Sequence, residues 1–175
     1  MMANIVPEKS NNFTVYIDGE EQNGIAEGSF PAGSFMTSEV RGAGIAGVID
    51  SPGLGHMQSM TVELTWRTIT DRFIDLLKPG GHTLNMYTEQ LSFDAGRGEM
   101  VSRSVNIFMK ALTKEYELGR LVVNDSAETK TTHEIYYLQM FVDGAEVLVI
   151  DKYNFIYRVR GTDYLAQTRR ALGKQ

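Results

Sequence analysis

The run Met60-Thr61-Val62-Glu63-Leu64-Thr65-Trp66-Arg67 decides the fold class of this chain. Met60, Val62, Leu64 and Trp66 alternate with Thr61, Glu63, Thr65 and Arg67, so one face of an extended strand is apolar and the other polar. A helix, with its period of 3.6 residues, would scatter the same four apolar side chains around its circumference. The pattern predicts a half-buried strand of an antiparallel sheet, one face on a core and one in water.

The same period recurs on both sides of this strand. Phe13-Thr14-Val15-Tyr16-Ile17 runs into Asp18-Gly19, and Asp-Gly favours the tight turn of a hairpin. Leu84 and Met86 mark a further strand. The polar turn Asp94-Ala95-Gly96-Arg97-Gly98-Glu99 follows, and then Val101, Arg103, Val105, Ile107 and Met109 share one face. Together they predict a long hairpin over Thr83–Lys110. A last hairpin, Glu134–Val142 with Glu146–Asp151, turns at Asp143-Gly144. Two short helices are expected as well. Thr70 is placed to cap one that carries Phe73 and Leu77 and stops at Pro79-Gly80-Gly81. The other spans Asp163–Leu172, with Leu165, Thr168 and Leu172 on one face, Arg169 and Arg170 in the last turn and Gly173 as the stop. The expected class is mainly β (α+β), a single domain over 1–175 with one or two flanking helices.

Two features fit a lone subunit poorly. The glycine-rich stretch Thr37–Gln58 has little pattern and reads as a long loop, and loops beyond about 12–15 residues are uncommon unless functional. The last hairpin is apolar on both sides, with Ile135, Tyr137 and Phe141 on one and Leu138, Met140 and Val142 on the other. It needs two covers, either from its own domain or from a neighbouring subunit.

Composition removes several function classes. The formal charge of −5 and scattered Lys and Arg residues argue against a protein that grips nucleic acid, because such binding depends on neutralising phosphates. Zero cysteines exclude disulfides and thiolate metal sites. No run approaches the roughly 18 apolar residues of a membrane span. Met1–Lys9 lacks a basic end followed by an apolar segment, so no secretory signal is expected.

Gly42-Ala43-Gly44-Ile45-Ala46-Gly47 is a literal G-x-G-x-x-G. A dinucleotide site needs that pattern between a buried strand and a helix N-terminus, and neither flank fits. The expected role of the segment is a mobile or interface-ordered loop. His56, His82 and His133 have no metal-ligand spacing and read as surface or hairpin-flanking residues. Carboxylate pairs such as Glu20-Glu21 and Glu115 with Glu117 read as solvated charge, and no G-x-S-x-G elbow is present. No catalytic, cofactor-binding or metal residue is expected.

Two segments carry a resemblance. The first is Val40-Arg41-Gly42-Ala43-Gly44-Ile45-Ala46-Gly47, followed by the alternating strand ending at Trp66. The second begins Asp143-Gly144-Ala145-Glu146, continues through Ile150-Asp151, Asn154, Ile156, Val159 and Gly161, and closes with Asp163-Tyr164-Leu165-Ala166-Gln167-Thr168-Arg169-Arg170. In this order they resemble the major tail tube protein family of contractile-tailed bacteriophages. Between Thr68 and Glu134 the match rests on strand pattern alone.

The resemblance implies a β-sandwich or barrel-like subunit, with strands of six copies joining into a ring barrel and rings stacking into a hollow tube. Arg41, Gly42, Ala43, Gly44, Ile45 and Gly47 become candidates for ring-to-ring contact. Tyr137, Phe141, Val147 and Val149 become candidates for contact between neighbouring strands, and the hairpin Thr83–Lys110 together with the last hairpin for lining the lumen. Implied partners are further copies of the chain, the tail sheath protein, a tape-measure protein, and the baseplate and tail terminator proteins. DNA would pass through without specific binding, helped by an acidic lumen. No membrane and no cofactor is implied. The implied location is the virion tail, assembled in the host bacterial cytoplasm. An inner tube of a phage-derived bacteriocin or contractile injection system has the same sequence features. A β-sandwich ligand-binding module is the alternative of another class.

Overall fold

A computed structural model describes residues 5–174. The strands are β1 (Ile5–Ile17), β2 (Glu20–Glu21), β3 (Ile25–Gly28), β4 (Phe35–Val40), β5 (Ile49–Met57), β6 (Thr61–Trp66), β7 (Gly81–Asp94), β8 (Glu99–Glu117), β9 (Thr129–Val142), β10 (Ala145–Asp151), β11 (Ile156–Val159) and β12 (Thr162–Asp163). Helices α1 (Asp71–Asp75) and α2 (Ala166–Ala171) are both short. The mainly β expectation holds.

Ten strands form one open sheet, in the order β12-β11-β10-β9-β8-β7-β1-β2 with β6 and β3 branching from β9. The branch arises because β9 serves two partners. Thr129–Glu134 pairs with β6, whereas Tyr137–Val142 pairs with β10. One strand edge cannot hold both in a single plane, so the sheet splits near Ile135 into two wings. The inner faces of the wings meet in one core containing Val15, Ile17, Val62, Leu64, Trp66, Leu84, Ile107, Met109, Leu138 and Ile150. All four apolar residues of the Met60–Trp66 alternation are buried there. α1 plugs the core with Phe73 and Leu76, and Thr70 caps it as expected, its side-chain oxygen accepting from the Phe73 amide at 3.2 Å.

Both Asp-Gly pairs form tight turns with positive φ at both residues: 50° and 87° at Asp18-Gly19, 50° and 79° at Asp143-Gly144. Each aspartate does a second job. Asp18 Oδ1 accepts from the Thr83 amide of β7 at 2.8 Å, and Asp143 Oδ1 from the Ser104 amide of β8 at 3.0 Å. Each turn is thus tied to the adjacent strand. Replacing Gly144 by valine should destabilise the fold by about 1–2 kcal/mol, since a β-branched residue resists the left-handed region. Thermal unfolding checks this, and an unchanged midpoint would show the turn relaxing at no cost.

Four readings require correction. Thr37–Gln58 is not a structureless loop: β4 and β5 pair through it, Thr37 opposite Pro52 and Val40 opposite Ile49, leaving only Arg41–Val48 as the connection. Pro52, the glycines and a register shift between Phe35 and Thr37 hide the alternation. Ile135 and Leu138 both face the core rather than opposite sides, because the β8 register skips Tyr136: Lys110 pairs with Tyr137 and Ala111 with Ile135. The second helix is shorter than Asp163–Leu172. Thr162-Asp163 forms β12, and Asp163 Oδ1 accepts from the Leu165 amide at 3.0 Å, delaying the helix to Ala166. His133 is fully buried in β9, not a surface residue.

Candidate functional site

A sheet edge, a concave face and a projecting hairpin on this scaffold are open to other molecules. The edge belongs to β1. Its thirteen residues pair with β7 on one side, but β2 covers only Tyr16 and Ile17 on the other. Ile5–Asn12 therefore presents an unpaired and exposed edge. It is guarded, because Pro7 interrupts its donors and register shifts leave Glu8 and Asn11 as extra residues. Such an edge resists indiscriminate strand addition and favours a partner of matching register.

The concave face lies on β1, β7, β8 and β9, opposite the core. It encloses about 620 Å³ and is lined by residues including Asn12, Thr14, Tyr87, Glu89, Asn106 and Phe141. Glu89 and Tyr87 are its two titratable side chains, and Asn11 Nδ2 donates to Glu89 Oε2 at 2.7 Å. A lone carboxylate with no basic side chain in the lining offers no acid–base pair. Among the described residues no group of His, Asp and Glu is arranged to hold a metal ion.

The hairpin β4–β5 is docked at its base and free at its tip. At the base, the Gln58 amide donates to Ser34 O at 2.8 Å and Phe35 meets Tyr157 edge-on at 5.6 Å. Gly55, at φ +65°, lies so close to Leu165 that an added Cβ would approach within 2.7 Å of its Cγ. At the tip, Arg41, Gly42, Ala43, Gly44, Ile45 and Gly47 are all exposed, and nothing lies within 4 Å of where a Cβ would sit at the three glycines. Arg41 pairs with its neighbour Glu39 at 3.5 Å. The G-x-G-x-x-G segment joins two antiparallel strands and has no helix to direct at a pyrophosphate.

The four strand candidates fall elsewhere. Tyr137 and Phe141 lie on the outward side of β9. Burial, then Asp151 and Glu146, hold the Tyr137 phenol above its usual pKa, and its hydroxyl donates to Gln139 Oε1 at 3.2 Å. Gln139 Nε2 donates to Glu146 Oε2 at 2.7 Å, and Arg158 reaches the other Glu146 oxygen at 3.3 Å. Val149 is 4% exposed and covered within its own chain, while Val147 sits at a bulge and its carbonyl accepts from Arg160 N. β9 and β10 are bonded on both sides inside the chain, whereas β1 has a free edge over Ile5–Asn12. Sequence alternation reaches only Phe13–Ile17 of β1, because Ile5–Asn12 has no buried face to enforce a period.

A guarded free edge, a projecting hairpin and a concavity without reactive groups define a structural subunit that works through its surfaces. The chain belongs to the phage tail tube protein FII family, whose model matches residues 7–173, and this is a family of structural proteins, not enzymes. The tail tube protein of Escherichia phage P2 is 34% identical over 76 residues, which make up 43% of this chain and 43% of that protein. The match thus spans less than half the length of that relative.

Proposed function

We propose that this chain is the repeating subunit of a hollow phage tail tube, with six copies closing each ring and rings stacking end to end. The observation that carries the reading is the exposed β1 edge at the margin of an open ten-stranded sheet, in a member of a tail tube family. A closed ring of sheets removes such edges. The tip residues Arg41–Gly47, exposed throughout, act between rings. The concave face turns to the lumen with Tyr137 and Phe141 at its margin, and the genome slides past it. Of the acidic residues in the hairpin Thr83–Lys110, Asp94 caps its turn and Glu99 pairs with Arg97, which leaves Glu89 as the charge on the concave wall. The tail sheath surrounds the tube, a tape-measure protein occupies it during assembly in the bacterial cytoplasm, and baseplate and terminator proteins cap its ends.

Electron microscopy of the purified chain tests this reading. Hollow tubes with sixfold averages are expected, and a chain that stays monomeric at high concentration overturns it. A second test replaces Arg41–Val48 with Asn-Gly, which closes Val40 onto Ile49 through a two-residue turn and preserves β4 and β5. Rings without long tubes are expected. Tubes of ordinary length would remove the inter-ring role of the tip.

A further inference from the structure

The segment joining β8 to β9 carries an apolar ridge that the fold does not use. Leu121 is 101% exposed and Val123 96%, with Leu118 at 55% beside them. Frayed chain does not explain this, because the segment is pinned at its base. The Arg120 amide donates to Ala127 O at 2.8 Å, the Ala127 amide to Arg67 O at 2.8 Å, and Ser126 Oγ to Arg67 O at 3.0 Å. Arg120 also pairs with Asp125 at 3.3 Å and Glu128 at 3.2 Å. Two fully wetted branched side chains on a braced loop mark a contact surface.

A second ridge of the same kind stands on the hairpin, where Val48 is 65% and Ile49 55% exposed, next to Ile45. The two ridges are attached at opposite ends of β6. The hairpin returns at Gln58, just before Thr61, and the braced loop is held by Arg67, just after Trp66, so β6 separates their bases by about 17 Å. Each ridge carries ion pairs of its own at the rim, Arg41 with Glu39 in one and Arg120 with Asp125 and Glu128 in the other. Different patches at opposite ends of one chain make a head-to-tail contact, the type that extends copies into an open array.

We infer that the Ile45–Ile49 ridge of one copy packs on the Leu121–Val123 ridge of a second copy, and that this contact holds successive rings together. The inference rests on the tube reading above and names the receiving surface for the hairpin tip.

The chain has no cysteine, so engineered thiols report the contact cleanly. Val48→Cys and Val123→Cys are prepared separately, mixed and oxidised under assembly conditions. A cross-linked dimer should form in the mixture and not in either variant alone, because the contact joins unlike patches. In parallel, Leu121→Asp with Val123→Asp alters two exposed side chains and should leave the circular dichroism of the subunit unchanged. It should raise the concentration needed for tube growth roughly a hundredfold or more while rings persist. Tubes growing at the ordinary concentration, or cross-linking of Val48→Cys only with itself, would overturn the inference and assign the ridge to another partner. A native chain that forms no tubes at all would overturn the tube reading with it. Tubes from the native chain together with undiminished tubes from the aspartate variant would overturn this contact alone.

Discussion

Replacing Trp66 by alanine is expected to destabilise the subunit by about 3–5 kcal/mol, the largest effect of any single truncation in this core. The indole is fully buried, meets the Phe73 ring edge-on at 6.2 Å and so locks α1 against β6. Its Nε1 donates to Thr131 Oγ1 at 3.2 Å, so truncation leaves both a cavity and a hydroxyl short of a partner. Urea denaturation at concentrations too low for assembly measures the loss, and the melting temperature should fall by roughly 10–15 °C. Trp66→Phe separates the two causes, since it keeps most of the packing and removes the donor. A loss below about 1 kcal/mol for Trp66→Ala would mean that the wings can close over the gap.

The second large effect is loss of stability on mild acidification, centred on His133. Burial, with a smaller contribution from the charge of His82, lowers the pKa of His133 from 6.5 to about 4. The hydrogen bonds require the neutral ring. Trp66 Nε1 donates to Thr131 Oγ1, whose own proton is directed at His133 Nε2 at 3.0 Å. On the other side Thr113 Oγ1 donates to Leu76 O at 2.6 Å and so accepts from His133 Nδ1 at 3.2 Å. The chain of bonds runs from β6 through β9 and β8 to the end of α1. A proton on Nε2 meets the Thr131 hydroxyl proton, forces that hydroxyl to turn and breaks this chain.

The sign follows from where protons bind. The unfolded chain holds the His133 proton more tightly than the folded one, so this stability is complete above about pH 6.5 and falls as pH drops toward 4. The full loss is about 3 kcal/mol. Asp18, Glu134 and Asp163 have lowered pKa values despite burial, through hydrogen bonds from Thr83, Ser59 and Arg169 respectively. Their contributions disappear at lower pH, below the ordinary carboxylate range. Comparing the pH dependence of unfolding for the native chain and His133→Gln cancels these common terms. The native profile should fall more steeply between pH 6.5 and 4, and parallel profiles would remove His133 as the cause.

The hairpin shows why part of the proposed assembly surface was legible and part was not. Absence of pattern in Arg41–Val48 correctly marks a segment with no partner in its own chain. The flanking strands escape notice because Phe35–Val40 and Ile49–Met57 pair mainly with each other and touch the core only near their base, at Met57, so little selects an alternating sequence. Leu121-Val122-Val123 lies in solvent although it is apolar, because the bonds among Arg67, Arg120 and Ala127 hold its loop away from the core.

Local chemistry sufficed for the β class, the Asp-Gly turns, the Thr70 cap and the buried face of Met60–Trp66, because each depends on neighbours within a few residues. The split of β9 between two wings, the shared facing of Ile135 and Leu138, the buried setting of His133 and the free edge of β1 depend on contacts between residues distant in sequence. A single skipped residue at Tyr136 reverses every later side chain, and no local period records the skip.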